Sequence, residues 1–291
     1  HGNYVAMVLL QVIGAGRLIG AVYALVSSGL RFVWGMMNGI NVAHGEFVML
    51  GMYVSFWTFT LLHFGVASFS VAAAVMLFIL GILVYLCLIK HVMRGPMLAQ
   101  ILSTFGLLLV LRYSAFWAFG SNFVGLTENI LGTSLNVGGI LLSAPKVVAG
   151  LAALGITIGM HLLLTRTMLG SQILAVAENR NAAMLMGIKP DRMQAIAWGL
   201  SGASAGVAGA LIATFFPISA TVGESLGLIA FVVVTFGGFG SVPGAMLAGL
   251  IIGLIESLSA FYFGPVYQDV FVYALFVLVL WIRPRGLMGK A

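Results

Sequence analysis

The length of its uncharged apolar runs constrains this chain more than any other feature. The run at residues 71–88 contains no charged residue, and a helix needs about 20 mostly apolar residues to cross a bilayer. Over the whole chain, 62% of residues are hydrophobic and 7% are charged, which excludes a soluble domain with a hydrated surface. The runs do not alternate as the strands of a transmembrane barrel would. The sequence therefore predicts an all-α, polytopic transmembrane helix bundle.

Prolines and charged residues divide the chain into about nine apolar segments. Proline removes a backbone donor, so it usually marks a helix end or a first turn. The predicted segments are 4–30, 34–62, 66–89, 97–119, 146–165, 194–216, 224–240, 243–263 and 267–283. The seventh is too short to count as a full crossing. Together the segments predict one transmembrane domain over residues 1–291.

The basic residues predict the orientation of these segments. With nine segments, ten of them fall on one side of the membrane: Arg31, Lys90, Arg94, Arg166, Arg180, Lys189, Arg192, Arg283, Arg285 and Lys290. Lys and Arg are enriched in cytoplasmic loops, so we expect the N-terminus outside and the C-terminus in the cytoplasm. The net charge of +6 follows from this topology and from attraction to anionic lipid. It does not require nucleic acid as a partner.

Small residues recur at four-residue intervals in two of the segments. One ridge contains Gly16, Gly20, Ala24 and Ser28, and the other contains Gly202, Gly206 and Ala210. Such ridges let helix backbones approach closely in lipid. We expect both to be packing surfaces.

A polar island interrupts the second predicted segment. It contains Asn38, Asn41, His44, Gly45 and Glu46. A charged side chain near the bilayer centre costs about 2.5–3.5 kcal/mol on insertion scales, so Glu46 should face protein or a water-filled cavity. Two interpretations are open: the island lines a solute path at a broken helix, or it holds neighbouring helices together by hydrogen bonds. His44 and Glu46 alone are too few ligands for a metal site, and we predict none.

A glycine-rich stretch at residues 235–244 forms a second interruption. Its glycines and one proline are incompatible with a stable continuous helix. The stretch predicts a discontinuous or re-entrant helix beside a path, to which Phe236, Gly237, Gly238 and Gly240 contribute. An ordinary tight turn between two helices is the alternative.

Glu224 and Glu256 are further carboxylates in or beside apolar segments. An unpaired charge is costly there, so Glu256 is expected to have a cationic neighbour. Arg112 and Arg17 are the candidates, and the sequence does not choose between them.

The longest polar interruption lies on the predicted cytoplasmic side, at about residues 166–193. Within it, Asn179 or Asn181 can cap a short helix, which Gly187 can end and Pro190 prevents from continuing. A helix of about two turns is unstable alone in water, so it needs a surface to pack on. Its apolar side chains offer contact to a partner protein, or else to its own bundle or the lipid interface. These side chains are Met184, Leu185, Met186 and Ile188.

The sequence contains no catalytic motif. It has no metalloprotease helix motif, no nucleophile elbow, no paired cysteines and no phosphate-binding loop. We therefore expect no catalytic residue, no enzyme activity and no cofactor in this chain.

Three spaced motifs resemble the branched-chain amino acid ABC transporter permeases, and specifically the first of that system's two permease subunits. They are residues 41–53, 177–188 and 236–245, the last followed by Glu256, and they follow the family order along nearly the whole chain. The resemblance implies a multi-pass permease domain in the bacterial inner membrane. It implies transport of branched-chain or other hydrophobic amino acids, or of amides, urea or aromatic acids.

The same resemblance implies the partners. These are a second homologous permease, two cytoplasmic ATPase subunits that bind ATP and Mg, and a periplasmic solute-binding protein. The pattern Ala-Ala-x-x-x-Gly at residues 182–187 is similar to the core of the motif that docks importer permeases onto their ATPases. The residues it assigns to coupling are Glu178, Asn179, Asn181, Ala182, Ala183, Met186, Gly187, Ile188 and Lys189.

Departures from the family pattern bear on the solute. Arg17 and Asn38 stand where small or apolar residues are expected, Arg112 stands where glutamine is frequent, and Ile229 replaces a lysine. Two other functions stay open. One is a proton-coupled secondary transporter that uses Glu46 and His44, and the other is a structural membrane subunit without transport.

Overall fold

The computed structural model describes residues 2–37, 40–63, 65–126, 131–238, 242–283 and 286, and helices dominate these ranges. The helices are α1 (Gly2–Met37), α2 (His44–Leu62), α3 (Val66–Val84), α4 (Lys90–Val92), α5 (Met97–Phe119), α6 (Ala144–Arg166), α7 (Met168–Glu178), α8 (Arg180–Leu185), α9 (Pro190–Ala213), α10 (Val222–Gly237), α11 (Val242–Phe263) and α12 (Gln268–Ile282). A π-helical turn (Tyr85–Ile89) joins α3 to α4, and a 3-10 turn (Pro265–Tyr267) precedes α12. In the described ranges, eight helical spans are long and apolar enough to cross a membrane. The prediction of an all-α polytopic bundle is confirmed.

The connection between α5 and α6 contains the one strand pair of the described residues. Strands β1 (Leu135–Val137) and β2 (Ile140–Leu142) pair antiparallel. Gly138 and Gly139 join them with φ of 62° and 89°, as a two-residue hairpin turn requires. The sequence-based prediction missed this hairpin because strands of three residues give too little alternation to detect.

The predicted end of the first segment lies seven residues before the observed end of α1, at Met37. The segment was expected to stop at residue 30, but α1 continues through Arg31 to Met37. A lone arginine does not interrupt a run of helix-forming residues, and no proline or glycine lies between Arg31 and Gly35 to do so. The predicted segment 34–62 was therefore wrong as a single helix, since its first residues belong to α1 and α2 begins at His44.

Close backbone contacts hold the bundle together at both small-residue ridges. On α1, a Cβ atom on Gly20 would lie 2.6 Å from the carbonyl oxygen of Gly249 in α11. On α9, a Cβ atom on Gly206 would lie 2.6 Å from the carbonyl oxygen of Ala73 in α3. Both distances are too short for any side chain, so the predicted packing ridges are confirmed.

Helix α9 lies at the centre of the bundle and α5 lies at its edge. In the most apolar 18 residues of α9, 72% of the residues are buried by the rest of the protein, compared with 11% in the corresponding stretch of α5. The main apolar core surrounds α9 and includes Trp198, Phe47 and Tyr53. Because little of α5 is covered by its own chain, most of its surface faces lipid or another subunit.

Candidate functional site

Two helices begin inside the bundle, and their first turns cross. Helix α2 begins with residues 44–46 (His-Gly-Glu) and α10 begins with residues 222–224 (Val-Gly-Glu). A Cβ atom on Gly45 would clash with the carbonyl oxygen of Gly223 and lie 2.7 Å from the Cα of Gly227. This approach is possible only because glycine occupies the crossing point.

The start of α2 lies deep in the bundle. The His44 Nε2 atom is 2.7 Å from the carbonyl oxygen of Val26, within α1. The His44 ring and Ser204, which is midway along α9, both lie beside Gly29 of α1. A carbonyl oxygen only accepts, so Nε2 carries a proton and Nδ1 of the neutral ring is an acceptor. The buried Nδ1 has no hydrogen-bond partner among the described residues.

Residues 40–43 form the break before α2. The Asn41 Oδ1 atom accepts a hydrogen bond from the Ala43 backbone N–H at 3.1 Å. From α5, the Thr104 hydroxyl donates to the Ile40 carbonyl oxygen at 3.2 Å. Asn41 is buried, and its Nδ2 has no hydrogen-bond partner among the described residues. The local break that the sequence allowed is therefore present, while Asn38 lies outside the described residues.

Arg112 of α5 connects the two helix starts through an ion-pair cluster. Its Nη2 and Nε atoms donate to Glu46 Oε1 at 2.7 and 3.2 Å, and its Nη1 lies 3.4 Å from Glu224 Oε2. The Glu46 side chain is 1% exposed, whereas that of Glu224 is 64% exposed. One guanidinium thus neutralises a fully buried carboxylate and contacts a second, exposed one.

This cluster corrects the expected partner of Glu256. Arg112 pairs with Glu46 and Glu224 rather than with Glu256, and Arg17 is exposed. Glu256 interacts instead with the Tyr23 side chain of α1, and the basic residue whose charge acts on it is Lys146, at the start of α6. The physical reason is position, because Glu256 lies on α11, which packs against α1, whereas Arg112 faces the start of α2.

A cavity of about 490 Å³ opens beside the ion-pair cluster. It lies between α1, α5, α10 and residues 40–44. Its apolar wall includes Leu30, Phe105, Leu108, Leu109, Leu228 and Phe231, and its polar end includes Asn41, His44, Arg112 and Glu224. Volumes of this size hold small-molecule ligands. The arrangement suits a small solute with an apolar part and a polar or charged end.

The glycine-rich stretch lies at the other end of α10. Helix α10 ends at Gly237, Gly238 has a φ of 90°, and α11 begins at Val242. The helix is interrupted here as expected, but residues 239–241 lie outside the described residues, and the choice between a re-entrant helix and a tight turn stays a prediction. The cavity wall on α10 extends from Gly223 to Phe231, so Phe236, Gly237 and Gly238 are not part of it. Phe236 instead belongs to an apolar cluster with Val272. Gly240 lies outside the described residues, and the role of this stretch in a path stays a prediction.

The segment predicted to be cytoplasmic, at about residues 166–193, contains the predicted short helix, α8. Its N-cap is Asn179, whose Oδ1 accepts from the Ala182 N–H at 3.0 Å, and Gly187 ends it with a φ of 81°. The Ile188 N–H then donates to the Ala183 carbonyl oxygen, a bond typical of glycine-terminated helices. Pro190 begins the next helix, α9.

Most residues assigned to coupling are exposed, and they lie on α8 or within a few residues of it. Leu185 and Met186 are 89% and 81% exposed. Ala183 is buried and Ile188 is half-buried, and both pack on an apolar cluster of the bundle. These two hold α8 on its own chain. The remaining assigned residues are exposed: Glu178, Asn179, Asn181, Ala182, Met186, Gly187 and Lys189.

A protein-family model described as the permease component of the branched-chain amino acid transport system matches residues 12–280. The chain belongs to this family. It is 33% identical over 298 residues to the high-affinity branched-chain amino acid transport system permease protein LivH of Salmonella typhimurium, covering 97% of this chain and 96% of that protein. It is 29% identical to the corresponding protein BraD of Pseudomonas aeruginosa, over 97% and 96% of the two chains. A probable LivH of Methanocaldococcus jannaschii is 30% identical, over 91% and 88%. No solved structure matches the chain.

As a member of this family, the chain is a multi-pass membrane subunit of an ABC importer. That Asn41, His44, Gly45 and Glu46 line a path stays a prediction. The permease structure places Asn41 and His44 at the cavity, and Gly45 and Glu46 beside it, at the helix crossing and in the ion-pair cluster. It adds Arg112 to them, together with Glu224. The repeated Gly-Glu pair, at residues 45–46 and 223–224, is a sequence signal that could have pointed to Glu224.

Proposed function

We propose that this permease pairs with a second homologous permease and forms a path for branched-chain or other hydrophobic amino acids, or a related amide, urea or aromatic acid. The observation that carries this proposal is the crossing of α2 and α10 beside the cavity. Helix N-termini carry partial positive charge, and discontinuous transporter helices place such ends next to the substrate. Both helices start at the cavity rather than at the bundle surface.

The polar end of the cavity offers groups of both signs to a zwitterion. Arg112 and the two helix starts favour a carboxylate, while Glu224 favours an ammonium group. The buried Asn41 Nδ2 has a donor that no described residue uses. The wall formed by leucines and phenylalanines suits an aliphatic or aromatic side chain. A hydrophobic amino acid matches all three features.

Exposed apolar residues on and directly after α8 support docking of a partner protein that supplies the energy for transport. Met184, Leu185 and Met186 are exposed on a helix of six residues, and such side chains suit an adaptable protein contact. We propose that two cytoplasmic ATPase subunits, which bind ATP and Mg, dock here. A periplasmic solute-binding protein then delivers the solute to the opposite face of the inner membrane, where the N-terminus of this chain lies.

The geometry gives little support to a proton-coupled transporter. His44 is bonded to the Val26 carbonyl group and Glu46 to Arg112. Protonation of Glu46 would leave Arg112 without its buried partner, which is costly. The test below separates the two mechanisms.

ATP-driven uptake tests the proposal directly. We propose to reconstitute the permease in liposomes with its second permease, both ATPases and the binding protein, and to measure uptake of labelled leucine. Uptake should require ATP on the side of the membrane where the ATPase subunits are bound, and it should persist without a proton gradient. Uptake by the permease alone, driven by a proton gradient, would refute ATP coupling.

An Asn41→Asp variant tests the position of the path. The substitution keeps an acceptor for the Ala43 N–H but removes the free Nδ2 donor and adds negative charge near the solute carboxylate. We expect uptake to fall by about tenfold, as loss of a good hydrogen bond to a charged group implies. The control is Thr157→Ala, which removes a buried hydroxyl bonded only within α6. Equal uptake by the two variants would contradict the proposed path.

A further inference from the structure

A polar cluster at the cytoplasmic end joins α8 to two membrane-spanning helices. Arg180, the first residue of α8, donates to Asp191 Oδ1 at 2.8 Å and to Gln194 Oε1 at 3.0 Å. Both acceptors lie in the first turns of α9. A guanidinium holds its donors in a rigid planar fork, so two simultaneous bonds fix the orientation of α8 relative to α9.

The second spanning helix joins the cluster through Tyr85. This side chain is fully buried, and its hydroxyl donates to Gln194 Oε1 at 2.7 Å. Lys90 Nζ lies 3.1 Å from Asp191 Oδ2. Tyr85 begins the π-helical turn at the inner end of α3. Such turns are rare and are frequent at functional sites. The two acceptors of Arg180 are therefore also bound by the inner end of α3.

Apolar packing and the polar cluster fix α8 in different ways. Ala183 of α8 and Ile188 directly after it pack on the bundle, whereas Arg180 fixes how α8 is oriented relative to α9. The Arg180 and Asp191 side chains are 39% and 43% exposed, and exposed ion pairs add little stability. Geometry, rather than stabilisation, is what this cluster supplies.

From the cluster, backbone contacts continue to the cavity. Helices α3 and α9 touch directly where Gly202 meets the Leu77 carbonyl oxygen. Farther along α9, a Cβ atom on Gly51 of α2 would lie 2.7 Å from the Cα of Gly206. Glu46 lies in the first turn of the same α2. Close-packed contacts compress little, so a displacement of α9 moves α2 as well.

We propose that Arg180 is a positioning residue that transmits movement of α8 to α9 and, through Gln194 and Tyr85, to α3. The proposal rests on the proposed function, in which the ATPases dock on α8. In this arrangement docking and transmission are separate: exposed side chains of α8 bind the ATPase, and Arg180 passes the movement to the membrane helices.

An Arg180→Gln variant separates these two roles. The assembled complex is purified through a tag on an ATPase subunit, and the amount of co-purified permease is measured. ATP hydrolysis and leucine uptake are then measured in liposomes. We expect normal co-purification and continuing hydrolysis, with at least tenfold fewer solutes imported per ATP. The control is Arg94→Gln, which removes a charge from an exposed position on the same surface and should leave this ratio unchanged.

A Tyr85→Phe variant provides the second measurement. It removes only the hydroxyl from a buried ring, so the fold should be kept, and the import per ATP should fall to between the wild-type and Arg180→Gln values. Normal import per ATP in both variants would overturn the proposal. Loss of co-purification in Arg180→Gln would also overturn it, because Arg180 would then belong to the docking surface. Failure of the wild-type permease to co-purify with the ATPases would instead refute the proposed function.

Discussion

Replacing Arg112 with methionine should destabilise the permease far more than replacing Glu224 with glutamine, although both changes remove one member of the same ion-pair cluster. Methionine has a similar length to arginine but no charge. The difference arises from burial: the Glu46 side chain, 1% exposed, depends on Arg112, whereas Glu224 is 64% exposed.

The expected magnitudes follow from these exposures. Removing one partner of a buried ion pair costs about 3–5 kcal/mol, because the other charge stays buried without compensation. Losing an exposed carboxylate partner costs about 0–1 kcal/mol. We therefore expect Arg112→Met to lower the free energy of unfolding by several times as much as Glu224→Gln.

The free energy of unfolding can be measured by titrating the purified permease with SDS in mixed micelles. A double variant, Glu46→Gln with Arg112→Met, provides the decisive comparison. Removal of both charges avoids the uncompensated carboxylate, so the double variant should recover most of the lost stability. If the double variant is as unstable as Arg112→Met alone, the loss comes from packing and the reasoning is refuted.

Three glycine substitutions test other parts of the structure. Gly81→Ala places a Cβ against a backbone carbonyl group of α9 and should cost at least about 1 kcal/mol in the same SDS titration. The control Gly106→Ala, in open space on α5, should be neutral or stabilising by up to about 1 kcal/mol. Equal effects of the two substitutions would contradict the α3–α9 contact. Gly45→Ala should force α2 and α10 apart and abolish leucine uptake in liposomes, whereas Gly159→Ala on α6, with open space around it, should transport normally; uptake by both would show that the crossing does not matter. Gly187→Ala puts a side chain at a φ of 81°, a strain of about 1–3 kcal/mol, so membrane insertion should persist while ATP-driven uptake falls; Gly187→Asn should retain more uptake, because asparagine tolerates this conformation.

Local features of the chain were predictable from the sequence. Helix α8 shows this well: Asn179 caps it and Gly187 ends it, as expected, because both residues act on backbone groups within a few positions. The end of α1 was placed too early because Arg31 was read as a boundary. The hairpin before α6 was missed because its strands are too short to show a pattern.

The sequence by itself determined that this protein is a bundle of membrane-spanning helices with a short capped helix, α8, because apolar length and helix capping are properties of neighbouring residues. The tertiary structure decided which charges meet. Arg112 reaches Glu46 across 66 residues and Glu224 across 112 residues, and Tyr85 reaches Gln194 across 109. Glycine contacts align α3 with α9 and α2 with α10, and Arg112 meets its partners from a third helix, α5, so these pairs depend on all the contacting helices at once.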